Sequence, residues 1–160
     1  MTDDNLARER EKERVRRVLV LTGGEDAPGL NAVLRAFVKT AVGLGLQVYG
    51  SEDGFAGLIE EPARISRLTP SDVRGILPKG GSILGCSSNT DPFAYETASS
   101  DGAAVKSSDL SKRVLAKLEE HEIDILVLIG GGGTMEIGLR FAKLGVPVVG
   151  IPKAIGNDLA

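Results

Sequence analysis

Apolar residues along this chain gather in short unbroken runs, and glycine follows each of them closely. Val18-Leu19-Val20-Leu21, Ile125-Leu126-Val127-Leu128-Ile129 and Val148-Val149-Gly150-Ile151 are the clearest. Aliphatic runs of this length, bounded by turn signals, read as strands buried on both faces. The first strand is predicted over 17–21. The apolar spacing then changes: Leu30, Val33, Leu34, Phe37, Val38 and Ala41 recur at intervals of three and four. That period predicts a helix from Pro28 to about Val42, with proline in its first turn and Gly43 and Gly45 ending it. Gln47 to Ser51 completes a β-α-β unit. Gly54 to Leu58 reads as a turn or short helix, Arg64 to Leu68 as a short strand, and Thr69-Pro70 as the start of another short helix capped by Thr69. Lys79 to Phe93 is a loop rich in glycine and serine, and Ala98 to Ser108, poor in apolar residues, reads as a mobile surface insertion. A helix from about Asp109 to His121 leads into a strand over 123–129. Another spans Met135 to Leu144, with Gly145 past its end, and Val146 to Ile151 is the last strand. Strands alternating with helices predict an α/β fold: a three-layer sandwich around a mainly parallel, Rossmann-like sheet, with an antiparallel flap around 50–70.

Composition narrows the possibilities. A chain of 160 residues, 42% hydrophobic and 26% charged, fits one soluble domain. Residues 1–17 form a charged tail (Arg8, Arg10, Lys12, Arg14, Arg16 and Arg17 against Asp3, Asp4, Glu9, Glu11 and Glu13), and the domain runs over 18–160. Tryptophan is absent and aromatics are 4%, so the core must be aliphatic. A net charge of −3 without a basic stripe argues against a nucleic-acid partner. The single cysteine, Cys86, excludes an internal disulfide and suits a reducing compartment. No apolar run approaches the roughly 20 residues that span a bilayer, and the charged N-terminus is unlike a secretory signal. No membrane partner is expected, and the expected location is the cytoplasm.

The chemistry sits in three turns at strand ends: Thr22-Gly23-Gly24-Glu25-Asp26-Ala27-Pro28-Gly29-Leu30-Asn31, Gly130-Gly131-Gly132-Gly133-Thr134, and Pro152-Lys153-Ala154-Ile155-Gly156-Asn157-Asp158. Turns at the carboxyl ends of neighbouring parallel strands are where open α/β sheets take ligands. Glycine lets backbone N–H groups approach a phosphate, and a following helix N-terminus adds partial positive charge. The same glycines could serve only tight strand–helix packing. Asp26 could cap the helix beyond Pro28, Phe55 could be core, and His121, Asp101, Asp109 and Glu96 read as ordinary solvated positions. A dinucleotide-binding dehydrogenase fits poorly, because G-x-G-x-x-G is missing after the first strand, as is an acidic residue at the end of the second.

These turns, with Asp53-Gly54-Phe55-Ala56-Gly57-Leu58 and Gly80-Gly81-Ser82-Ile83-Leu84-Gly85, resemble the N-terminal, nucleotide-binding half of the phosphofructokinase family from Val18 to Asp158. The resemblance implies phosphoryl transfer from ATP, or in one branch pyrophosphate, with magnesium, to the 1-hydroxyl of fructose 6-phosphate. It implies a small-molecule phosphate donor held over Gly23, Gly24 and Gly131, Gly132, Gly133 and Thr134. Phe55 stands near the family's adenine position, and Asp26 would orient magnesium and water. Lys153 matches the pyrophosphate-type pattern and Gly133 the ATP-type one. Oligomers, of this chain or with a full-length homologue, are also expected.

The departures fall on the chemistry that the resemblance implies. Glu25 replaces a loop glycine, and a carboxylate beside a polyphosphate repels it by on the order of 1–4 kcal/mol per charge pair. Gly132 replaces the magnesium-associated aspartate, which removes an oxygen ligand from a hard cation. Asn89 stands where an arginine neutralises the moving phosphoryl group. Ala154 and Gly156 replace a threonine and the aspartate that is the family's general base, leaving Asp158 as the residual acid of the turn. The family's sugar-phosphate site also draws on a second half of the chain. The expectation is a fold without detectable transfer, a pseudoenzyme; the alternatives are a nucleotide- or anion-binding or regulatory module, or a fold with no ligand.

Overall fold

The computed structural model describes residues 16–98 and 105–156, so most of the charged tail, Asp101 and Asp158 lie outside the described residues. In chain order the elements are β1 (Arg17–Thr22), α1 (Leu30–Gly43), β2 (Gln47–Ser51), α2 (Ala56–Ile59), β3 (Ile65–Leu68), β4 (Tyr95–Ala98), β5 (Val105–Ser108), α3 (Ser111–Glu120), β6 (Ile125–Gly130), α4 (Gly132–Lys143) and β7 (Val148–Pro152). Five strands form one sheet in the order β3-β2-β1-β6-β7. β1 runs parallel to both β2 and β6, and β6 parallel to β7. The predicted antiparallel flap is β3, an edge strand of this same sheet.

Strand periodicity decides what each face buries. Val18 and Val20 face Leu30, Leu34, Val38 and Ala41 of α1. Leu19 and Leu21 face the other way, toward Phe55, Leu58, Val114, Leu118 and Phe141. The alternation in β1 therefore divides the core into two layers, completing the expected three-layer sandwich. α4 lies close on the sheet at Gly138, where an added Cβ would come within 2.6 Å of Leu128 Cδ1. Three of the chain's four phenylalanines are stacked together: Phe141 is fully enclosed, 5.5 Å from Phe55 and 4.9 Å from Phe93 between ring centres.

Several expectations need correction. α1 begins at Leu30, after Gly29 at φ 88°, and no side chain caps it, so Asp26 is not its cap. α4 begins at Gly132 instead of Met135, because only Gly131 is needed to turn the chain out of β6. No helix follows Thr69: residues 70–75 form turns, and Thr69 donates from both N and Oγ1 to Asp72 Oδ2 (2.7 and 2.6 Å). Those two bonds hold the Asp72 carboxyl below its usual range. Within the expected surface insertion, Val105–Ser108 forms a strand that pairs antiparallel with Tyr95–Ala98 in a two-stranded ribbon, with Tyr95 opposite Ser108. The Tyr95 hydroxyl donates to Glu60 Oε1 at 3.0 Å and ties the ribbon to the end of α2; residues 99–104 lie outside the described residues. Asp109 also does more than sit in solvent, since its Oδ1 accepts the Ser111 N–H at the start of α3 (2.9 Å). Among the described residues no helix is long and apolar enough to cross a membrane.

Phe141 joins α4 to α2 and to the loop before β4, and truncation would empty the space between two other rings. Phe141→Ala is expected to cost about 3–5 kcal/mol of unfolding free energy, measured by urea denaturation. A loss under roughly 1 kcal/mol would show that this cluster can collapse around the gap.

Candidate functional site

The connection after β1 runs to β2 on one side, and that after β6 runs to β7 on the other. Strand order thus reverses between β1 and β6, and a crevice must open at their carboxyl ends. Thr134, 5% exposed, fills the gap between the two turns. A Cβ on Gly23 would lie 2.7 Å from its Oγ1, and one on Gly130 2.6 Å, so both turns need glycine to pack. Two first-turn amides are already committed: Gly23 N–H donates to Ile129 O (2.9 Å) and Gly24 N–H to Ser87 O (3.1 Å). Gly24, at φ 81°, shapes the wall without offering a free donor.

Free donors come from α4. Its N-cap, Gly131, is extended and makes no side-chain cap bond, and no acidic residue occupies the first turn. The leading amides of a helix have no partner within it and carry the positive end of its dipole. They open onto a cleft of about 460 Å³ bordered by Gly23, Gly24, Gly131, Gly133, Thr134 and Lys153 on its glycine side. The main chain of Lys153 donates to Gly130 O (2.8 Å), and its side chain passes Gly29, with Cε 3.7 Å from where a Cβ would stand there. The cleft continues past Ser87, Ser88, Thr90 and Asp91 to Glu136, Ile137 and Arg140 of α4. The Arg140 guanidinium lies 3.7 Å over the Phe93 ring and 3.7 Å from Asp91 Oδ2.

The other predicted residues divide. Phe55 is 2% exposed and stacked in the core, so it floors the cleft and is no open platform for a base. Gly132 starts α4 but does not border the cleft. Asp26 lies in a second hollow, with Gly81, Ser82 and Cys86, while Glu25 borders both. Among the described residues no three acidic, histidine or cysteine side chains converge to hold a metal. Asn89 is exposed, accepts a bond from Ser88 Oγ (3.3 Å), and is absent from the cleft wall. Ala154 borders the cleft and Gly156 is exposed, while Asp158 lies outside the described residues. Sequence reasoning missed Asp91, Glu136 and Arg140. The last two are four apart on the helix after the glycine turn, a spacing that puts them on one face.

Cys86 borders the second hollow. Burial pushes its thiol above the ordinary range against a bond to the Thr22 hydroxyl, and the Asp26 and Asp53 carboxylates add to the rise. A raised pKa leaves little thiolate at neutral pH. Alkylation by iodoacetamide at about pH 8 should be several-fold slower than for free cysteine, and the deficit should close as pH rises beyond the ordinary thiol range. A rate equal to free cysteine at neutral pH would contradict this.

A family model described as Phosphofructokinase matches residues 17–160. Among curated relatives, an ATP-dependent 6-phosphofructokinase of Chloroflexus aurantiacus is 47% identical over 145 residues, covering 90% of this chain and 39% of the relative. ATP-dependent 6-phosphofructokinase 2 of Clostridium perfringens is 40% identical over 91% of this chain and 39% of its own length. The chain thus spans about two fifths of these relatives. Among solved structures, Pichia pastoris phosphofructokinase in the T-state superposes with a TM-score of 0.74 at 25% identity, over 92% of this chain and 16% of that one. A pyrophosphate-dependent phosphofructokinase from Marinobacter aquaeolei shares the fold, with a TM-score of 0.66 at 17% identity, over 91% of this chain and 35% of its own.

Proposed function

Because the chain belongs to the phosphofructokinase family, we propose that its cleft is the phosphate-donor half of a 6-phosphofructokinase-type site and takes ATP. The observation that carries this reading is the uncapped N-terminus of α4 in the same cleft as Lys153, at the point where strand order reverses. The α4 amides bind phosphate oxygens, Lys153 offsets their charge, and Thr134 with the phenylalanine stack keeps the floor rigid and dry. ATP supplies the transferable phosphoryl group when bound. The choice of ATP over pyrophosphate rests on the reach of the cleft beyond the glycine turns to Ile137 and Arg140, and on the ATP-dependent relatives. No step is derived through magnesium.

We also propose that this chain by itself does not transfer the group to fructose 6-phosphate. Phosphoryl transfer depends on positioning and on neutralising charge. Here Gly132 and Gly156 bring no carboxylate, Asn89 brings no positive charge, and Glu25 adds a negative one at the cleft. Binding without chemistry suits a regulatory or partner module of glycolytic phosphotransfer. A companion subunit, a second copy or a full-length homologue, is favoured by the β7 edge, which bears Val149 at 49% exposure and no charged side chain. A single cysteine, with no disulfide to keep, suits the cytoplasm.

Calorimetric titration of the purified chain tests the reading. ATP should bind, pyrophosphate should bind more weakly, and Lys153→Ala should weaken ATP by about tenfold. No heat with millimolar ATP would end the donor reading, and equal affinity for pyrophosphate would remove the nucleotide preference. Turnover of fructose 6-phosphate above a buffer control would overturn the proposed inactivity.

A further inference from the structure

The cleft wall opposite α4 comes from a segment that apolar packing holds only at Leu84 and Cys86, with Leu84 O also accepting the Asp53 N–H (2.7 Å). Between Lys79 and Asn89 only Leu84 is buried, and Ile83 is 40% exposed. The segment doubles back through Gly81 and Gly85, both at positive φ, so its course is set by what it is tied to. The ties are polar and come from neighbouring turns. Asn31, 2% exposed on the first turn of α1, donates from Nδ2 to Lys79 O (3.2 Å) and Gly80 O (3.1 Å) and accepts the Ile83 N–H at Oδ1 (2.8 Å). Thr22, fully buried, shares a hydrogen bond with Ser82 Oγ (2.9 Å) and donates to Gly85 O. Downstream of these ties, Ser87 O accepts the Gly24 N–H, and Ser87 and Ser88 face the cleft.

We propose that Asn31 is a positioning residue for the donor cleft: by clamping residues 79–83 against α1 it fixes where the Ser87–Ser88 wall stands opposite α4. The inference rests on the donor reading above. Asn31 touches no cleft atom itself and is not among the cleft-lining residues. Its side chain uses donor and acceptor together on one short stretch of backbone, an arrangement that leucine of similar size could not reproduce and aspartate only in part. The carbonyls it holds lie in exposed residues, so they can turn to water once it is gone. Loss of Asn31 therefore frees the segment locally without leaving those carbonyls unpartnered in the core.

The test pairs binding with site-resolved amide exchange. Asn31→Ala should weaken ATP about tenfold at a temperature well below melting, and should speed exchange of the Ile83 and Gly24 amides by at least about tenfold, while amides of Leu126 to Leu128 in β6 keep their rates. Asn31→Asp, which keeps the acceptor for Ile83 and loses both donors, should fall between. Thr22→Val cuts the second tie with little change of shape and should act in the same direction, so it serves if Asn31→Ala fails to fold. A merely structural role would lower the melting temperature, move all amides together and leave ATP affinity intact; that pattern would overturn the proposal. Unchanged exchange at Gly24 would overturn it as well. Absence of ATP binding by the unmodified chain would instead refute the donor reading, with the exchange result still deciding whether Asn31 holds the wall.

Discussion

The close approach of two turns at the centre of the sheet is the constraint on which the remainder depends. β1 and β6 pair in parallel with Val18 opposite Ile125, and their ends are so near that Thr134 leaves no room for a Cβ at Gly23 or Gly130. Parallel neighbours whose connections leave in opposite directions always open a crevice, but its chemistry depends on which backbone groups remain unspent. Here the first turn spends two of its amides on the fold, Gly23 on β6 and Gly24 on Ser87. On the proposed donor reading, anion recognition falls to the start of α4, one strand over, where glycine follows glycine and no side chain caps the helix.

The charges around the cleft follow a similar division of labour. Arg140 leans on Phe93 and near Asp91, so part of its positive charge is already answered within the protein. Lys153 is anchored through its main chain and leaves its side chain to the cleft. Glu25, Asp91 and Glu136 bring carboxylates to the same cleft. A site of this kind can hold a polyphosphate through backbone dipoles and one lysine. On the proposed reading, it does so without the concentration of positive charge that would favour a departing phosphoryl group over a resting one, so that binding and chemistry would separate at that level.

Much of this was legible in the chain. The aliphatic strands announced themselves because a strand buried on both faces has no polar alternation to confuse with anything else. Helix α1 was visible from Leu30, Leu34 and Val38. The ribbon of β4 and β5 was not, because its strands are short and polar and resemble a loop to any argument built on hydrophobicity. Thr69 was read as a helix cap, an acceptor, but it donates to Asp72, since spacing alone cannot say which side chain donates and which accepts. Phe55 was ambiguous until the ring of Phe141, far away in sequence, was seen to stack on it. Asn31 was quoted as part of a motif, but its partners at Lys79, Gly80 and Ile83 lie about fifty residues away, and no local pattern reports such a bond.

The placement of β6 beside β1 carries a cost in time. Arg17 finds Asp124 across a sequence separation of 107 residues, and β1 lies between β2 and β6 in the finished sheet. During synthesis β1, α1, β2 and β3 leave the ribosome first, and Val18 to Leu21 can pair on only one side. At translation rates of roughly 5–20 residues per second, on the order of ten seconds pass before Ile125 to Gly130 arrive. Through that interval β1, buried almost throughout in the finished sheet, presents an open edge to other nascent chains.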